Sequence, residues 1–136
     1  MKLQHPDLFR QQCHIGCRWV DASDGATIRV TNPADDSVIG TVPRLTEADV
    51  QSAIAAADQA LAGWRSTSAK ERPRLLRRWF ALCMAHQDDL GLLLTLEPGT
   101  PLAPANGEIA SGSSFLDWFA CAANPLHGDV LPAAPV

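Results

Sequence analysis

The stretch that most constrains this chain is a corner, Glu97-Pro98-Gly99-Thr100-Pro101, set after an apolar run that includes Leu90, Leu92, Leu93, Leu94 and Leu96. Pro98 and Gly99 stop a helix. Pro101 stands where the next one begins, because a first-turn proline surrenders no intrahelical bond. The spacing therefore predicts a helical hairpin with a fixed corner, its second arm running from about Pro101 to Ala123. On that arm Leu102, Ala105, Ile109, Leu116, Phe119 and Ala120 gather on one side and are expected to form core. Gly107, Ser111, Ser114 and Trp118 gather on the other. A face of small hydroxylic residues beside one tryptophan either packs another helix closely or borders an opening.

Upstream, the pattern changes period. Ile15 to Val20, Ala26 to Thr31 and Ser37 to Pro43 read as three short strands, separated by Gly25 and by the turn residues Asn32-Pro33 and Asp35-Asp36. This spacing suggests a β-meander. Thr46-Glu47-Ala48-Asp49 then resembles a capping motif, and Val50, Ile54, Ala57, Leu61 and Trp64 follow at helical steps along one side. Ser68-Ala69-Lys70-Glu71 is a second capping box. Behind it lie Leu75, Trp79 and Leu82 with Leu76, Phe80 and Cys83 as the apolar face, while Pro73 predicts a distorted first turn or a later helix start. His86-Gln87-Asp88-Asp89 opens the next helix. The expected fold class is α+β, a short N-terminal β-meander followed by about four packed helices. Its parts are a leader and strands over 1–45, helices over 46–123 and a strand start over 124–136. The leader, residues 1–12, needs something to lie against.

Composition narrows the function classes. The 136 residues, 46% hydrophobic, suffice for one domain with a modest core. A net charge of -4 argues against nucleic acid as a partner, since phosphate binding needs a basic face. The only basic run, Arg72, Arg74, Arg77 and Arg78, reads as a solvated helix face. No run of about 18 apolar residues is present to span a bilayer. The N-terminus lacks a signal-peptide core, so a cytoplasmic location is the expectation. Cys13, Cys17, Cys83 and Cys121 read as free thiols.

Chemistry-bearing patterns are sparse. Cys13, His14 and Cys17 are soft ligands without the second pair that a structural zinc site needs. His5, His14, His86 and His127 are scattered, and none stands at a spacing that pairs it with a particular thiol or hydroxyl. Glu97 and Glu108 flank the corner at a separation that sequence leaves open. Gly99, Gly107 and Gly112 do not form a dinucleotide fingerprint. Read from its residues alone, the chain offers no catalytic, cofactor-binding or metal-binding residue.

Taken together, several segments in one register resemble the opening of an aldehyde dehydrogenase, nearest to the succinate-semialdehyde dehydrogenase branch. They are Leu3 to Arg10, Ile15 to Asp21, Val30-Thr31-Asn32-Pro33-Ala34, Trp64, Ser68 to Arg72, Leu76 to Phe80, His86 to Leu90, Leu94 to Glu97, Pro101-Leu102, Gly107-Glu108-Ile109, Phe115, Trp118-Phe119-Ala120 and Gly128-Asp129. The resemblance implies that these strands and helices are the N-terminal layer of a longer subunit. It implies a family reaction in which a thiolate attacks an aldehyde, hydride passes to NAD or NADP, and the thioester is hydrolysed. The family's coenzyme segment, oxyanion asparagine, general-base glutamate and catalytic cysteine come later than these motifs, and Cys83 and Cys121 do not match the catalytic position. The chain is thus expected to be inactive and to bind no cofactor alone. The implied substrate-entrance residues are Gly107, Ser111 and Trp118, with Ser111 where the branch usually has tyrosine. The strand near Gly128 resembles the start of an oligomerisation arm. The expected partners are a full-length dehydrogenase subunit or a second copy, and the alternative to a truncated enzyme segment is a non-catalytic binding module.

Overall fold

The computed structural model describes residues 2–122 and Gly128. A 3-10 turn over Pro6–Leu8 precedes four strands, β1 (Cys13–Ile15), β2 (Arg18–Val20), β3 (Thr27–Thr31) and β4 (Val38–Pro43). Four helices follow, α1 (Glu47–Ser66), α2 (Glu71–Ala85), α3 (Gln87–Leu96) and α4 (Leu102–Ala122). The α+β class and the four helices match the expectation. The strands pair as two separate antiparallel hairpins, β1 with β2 and β3 with β4. The run Ile15 to Val20, which reads as one strand, contains the turn of the first hairpin. Gly16 and Cys17 both take positive φ, 55° and 62°, as a two-residue turn of primed type requires. The expected strand start over 124–136 lies outside the described residues, apart from Gly128.

The second hairpin turns through local side-chain chemistry. The Asn32 side-chain oxygen accepts from the N–H of Ala34 at 2.9 Å, and Asp35 accepts from the N–H of Ser37 at 3.0 Å. Such asparagine and aspartate bonds replace ladder bonds where the chain reverses. Gly99 closes the helical corner with φ 82°, and a Cβ there would stand 2.8 Å from Cγ of Pro33. The corner between α3 and α4 thus rests against the turn between β3 and β4, and only glycine fits the contact.

The cap of α1 is complete. The Thr46 hydroxyl accepts from the N–H of Asp49 at 3.3 Å, and Asp49 Oδ2 accepts from the N–H of Thr46 at 2.9 Å. Ser23 adds its N–H and its hydroxyl to the same oxygen, at 3.2 and 3.1 Å, so the loop before β3 is tied to the helix start. Thr46→Ala should cost about 1 kcal/mol, read as a lower thermal midpoint. The N–H groups of Thr46 and Ser23, and the Thr46 hydroxyl, draw the Asp49 carboxyl down to about 2. Because the folded value is depressed, this cap is fully present above the ordinary carboxyl range near 4 and is lost as pH falls through about 2. An acid titration of the far-ultraviolet helix signal should show that step in the wild type and lose it in Asp49→Asn.

At α2 the Ser68 hydroxyl meets the first helical N–H, but Ser68 lies two residues before the cap position Lys70 and the box does not form. The Ser68 hydroxyl accepts from the N–H of Glu71 at 3.1 Å, while the Glu71 carboxylate turns to Arg74 instead of reaching back. The helix begins at Glu71, so Pro73 is its third residue. There its missing N–H is one of the groups that no intrahelical partner would satisfy, and no later start is needed. The arginine run is not one solvated face: Arg74 pairs with Glu71, Arg77 reaches α4, and Nε of Arg72 is buried without a hydrogen-bond partner among the described residues.

The core sits where α4 packs against α2 and α3. On α4 the inward stripe is Ala105, Ile109, Ser113, Leu116 and Ala120, at steps of four and three, and Ala105, Ser113 and Ala120 are buried. Leu102 and Phe119, expected in that core, are exposed. Small residues hold the inside of the helix because α2 and α3 come close to it, which leaves no room for a larger side chain. On α2 the inward side carries Leu76, Phe80 and Cys83, whereas Leu75, Trp79 and Leu82 are exposed. No residue of α1 is buried. No described helix is long and apolar enough to cross a membrane.

Candidate functional site

The outward side of α4 carries all three residues that the family resemblance places at a substrate entrance. Gly107, Ser111 and Trp118 are exposed, Trp118 at 70%. They share that side because the small residues of the opposite stripe take the packing against α2 and α3. A depression of about 470 Å³ lies there, lined by Ser114, Phe115, Asp117, Trp118 and Cys121. Trp118 is part of it. Gly107 and Ser111 lie further toward the helix start and do not line it, although the carbonyl of Ser111 accepts the hydroxyl of Ser114 at 2.7 Å.

Arg77 of α2 meets two of the lining residues, Cys121 and Asp117. Its Nη2 stands 3.5 Å from Sγ of Cys121 and its Nε 3.7 Å from Asp117. The contact with Cys121, and less so the Asp117 carboxylate, holds the guanidinium in its charged form even more firmly than usual. The depression thus offers an aromatic wall and a paired cation, a surface for orienting a molecule. Among the described residues the Ser114 hydroxyl is engaged by the Ser111 carbonyl and the Cys121 thiol by Arg77, and no hydrogen bond joins either to Asp117.

The remaining candidates do not converge. His14 tilts its ring against Trp19, with centroids 5.1 Å apart, on the first hairpin. His5 and His86 meet edge to face at 4.4 Å. Cys13, Cys17, Cys83 and Cys121 are free. Among the described residues no group of three histidine, cysteine or carboxylate side chains could hold a metal ion. Glu97 and Glu108 are both exposed.

A nicotinamide coenzyme, which the family resemblance implies, does not fit the described residues. Dinucleotide cradles are built where a parallel strand feeds a glycine-rich turn into a helix. Here both strand pairs are antiparallel hairpins, and Gly107 and Gly112 lie within α4 with no strand leading into them.

Sequence reading missed a buried carboxylate clamp among the described residues. Asp89, in the first turn of α3 and only 5% exposed, accepts the N–H of Gln4 on one oxygen at 2.9 Å and the N–H of His5 on the other at 2.8 Å. Burial alone would push this carboxyl up. The two N–H donors, with the His5 and His86 rings nearby, more than offset that and hold it below the usual range. The leader lies against α3 through this clamp, and nothing local in the sequence marks Asp89 as its anchor.

The hairpins, the helical corner and the exposed α4 face are those of an aldehyde dehydrogenase amino-terminal layer. The family's sequence profile matches residues 19–136, and the chain belongs to the aldehyde dehydrogenase family. It is 53% identical over 132 residues to glutarate-semialdehyde dehydrogenase of Pseudomonas putida, covering 97% of this chain and 28% of that protein. It is 49% identical to the NADP-dependent succinate-semialdehyde dehydrogenase of Escherichia coli, covering 97% of this chain and 27% of that one. The crystal structure of an aldehyde dehydrogenase from Brucella melitensis biovar abortus superposes with a TM-score of 0.95 at 50% identity, over 99% of this chain and 28% of the other. Succinate-semialdehyde dehydrogenase from Burkholderia pseudomallei gives 0.93 at 47% identity, with the same coverage. The chain therefore spans about a quarter of the length of the relatives it matches.

Proposed function

We propose that this chain is the N-terminal layer of an NAD(P)-dependent semialdehyde dehydrogenase of the cytoplasm, and that this layer does not run the oxidation of aldehyde to carboxylic acid by itself. The observation that carries the reading is the 53% identity that runs through nearly the whole chain while reaching 28% of a semialdehyde dehydrogenase. In this reading the outward side of α4, with Gly107, Ser111 and Trp118, borders the path by which the aldehyde enters. The chain's own residues bind and orient at that border: Trp118 and Phe115 offer apolar walls, and Arg77 offers a cation to the carboxylate that a semialdehyde carries at its far end. Bond-making chemistry belongs to residues beyond this layer.

The test is to join the chain to the remainder of the Pseudomonas putida relative and follow NAD(P)H formation with succinate and glutarate semialdehydes. The joined protein is expected to turn over, and the chain alone is expected to give no aldehyde-dependent signal. In the joined protein, Trp118→Ala should raise KM several-fold with a smaller effect on kcat, because it removes binding surface at the entrance. Turnover by the chain alone, or an inactive joined protein, would overturn the reading.

A further inference from the structure

An asparagine side chain is most open to attack by the next backbone nitrogen when that nitrogen belongs to glycine, which has no Cβ in the way and adopts the dihedrals the attack needs. The chain has three asparagines. Asn32 and Asn124 each precede a proline, whose nitrogen carries no hydrogen and cannot attack. Asn106 precedes Gly107.

The structure puts this dipeptide where the helix is easiest to open. Pro104, Asn106 and Gly107 are among the first six residues of α4, and all three are poor helix formers. Ala105 begins the helical ladder with its bond to the Pro101 carbonyl at 3.0 Å, so the N–H of Gly107 is held only two residues further in, and helix ends fray first. The Asn106 side chain is itself weakly held. Its Oδ1 is buried against Gly91 with no hydrogen-bond partner among the described residues, and its Nδ2 reaches Asp88 only at 3.4 Å. Exchanging the two amide atoms would turn an oxygen toward the Asp88 carboxylate, so neither orientation satisfies both. Gln87 donates to the Asn106 main-chain carbonyl at 2.8 Å, which stabilises the negative charge that forms on this peptide group when Gly107 loses its proton.

We propose that Asn106 is a site of spontaneous deamidation, blocked while the first two turns of α4 are formed and released when they fray. In the helix the Gly107 N–H is bonded four residues back, and helical dihedrals do not let a five-membered ring close between its nitrogen and Cγ of Asn106. On opening, hydroxide removes the Gly107 amide proton, the nitrogen bonds to Cγ, and the Cγ–Nδ2 bond breaks. Nδ2 takes a proton from water and leaves as ammonia, which restores the hydroxide. A second water then opens the cyclic imide at one of its two carbonyls, to an α-linked aspartate or a β-linked isoaspartate. The net change is one water consumed and one ammonia released, with nothing oxidised or reduced. Either product hinders the return to the helix. The α-linked one sets a carboxylate where the amide stood, 3.4 Å from Asp88 and beyond the first turn in which the helix dipole would favour it. The β-linked one puts an extra carbon into the backbone and interrupts the ladder. Each opening of the corner between α3 and α4 therefore carries a chance of a lasting change that favours the next.

The experiment incubates the full chain at mildly alkaline pH with and without urea, and follows the amide-to-acid mass change in the peptide that carries Asn106. Conversion at Asn106 and at neither other asparagine, at least tenfold faster in urea than in buffer, is the expected result. In urea, Gly107→Ala should slow it several-fold, because the added Cβ crowds the attack. Asn106→Asp should lower the thermal midpoint by several degrees. If that variant does not fold, the loss is read on the wild type, whose midpoint should fall in step with the converted fraction. Equal rates with and without urea, no conversion in buffer by the time the urea sample is complete, or a midpoint that ignores the converted fraction would each overturn the proposal.

Discussion

Replacing Asp89 by alanine is expected to free Gln4 and His5, and the leader around them, from the helical layer. The clamp is a buried carboxylate that takes two consecutive backbone N–H groups, and its loss leaves both donors beneath the strap without a partner. The strap has a second hold, Gln11, whose side-chain oxygen accepts the N–H of Thr41 at 2.8 Å. Gly40 makes that approach possible, since a Cβ there would stand 2.7 Å from both Gln11 and Phe9. Trypsin cleavage after Arg10 should therefore speed up several-fold in Asp89→Ala and further in the double variant with Gln11→Ala, while the far-ultraviolet helix signal stays. Acid should act the same way. The folded carboxyl is depressed, so the clamp holds above the ordinary carboxyl range and lets go as pH falls through its lowered folded value. Amide exchange at Gln4 and His5 should then rise in the wild type and show no such step in Asp89→Ala. Equal cleavage rates in wild type and variant would mean that the leader is held elsewhere.

The second large effect is expected at Gly91, buried in α3 where α4 crosses it. A Cβ at this position would collide with the side-chain oxygen of Asn106, and the Asn106 backbone N stands 3.4 Å away. Gln87 donates to the Asn106 carbonyl at 2.8 Å, which fixes this part of α4 against α3. Alanine would gain about 1 kcal/mol of helix propensity and lose a comparable amount or more by displacing Asn106, so the net change is small. Leucine cannot be absorbed by one side chain and must push the helices apart. Gly91→Leu should cost about 2 kcal/mol, or about 6–10 °C in the thermal midpoint for a domain of this size. A calorimetric melt would show it. An unchanged midpoint would mean that α3 and α4 do not meet at Gly91.

These two positions show where sequence reading stops. Gly91 looks like a weak point in an apolar helix until its neighbour is known, and Asp89 looks like an ordinary acid near a helix start. Their partners lie 15 and 84 to 85 residues away along the chain, and no local pattern encodes such a pairing. The three residues that the family resemblance implies for a substrate entrance share one face of α4, yet only the packing of α2 brought Arg77 to Cys121 and Asp117 beside Trp118.

What the sequence determined by itself is what depends on neighbours a few residues apart. The Thr46–Asp49 box, the Ser68–Glu71 bond ahead of α2, the turn at Asn32 to Ser37 and the corner at Gly99 all follow from short-range hydrogen bonds and allowed dihedrals. The apolar stripes were also legible, because helical periodicity is local. Which stripe faces inward was decided by tertiary structure alone. Val50, Ile54, Leu61 and Trp64, which line one side of α1, stand exposed, while Ala105, Ser113 and Ala120 are buried. Hydrophobicity scores the residue, whereas burial is set by what packs against it, and close helix crossings select small side chains over large ones.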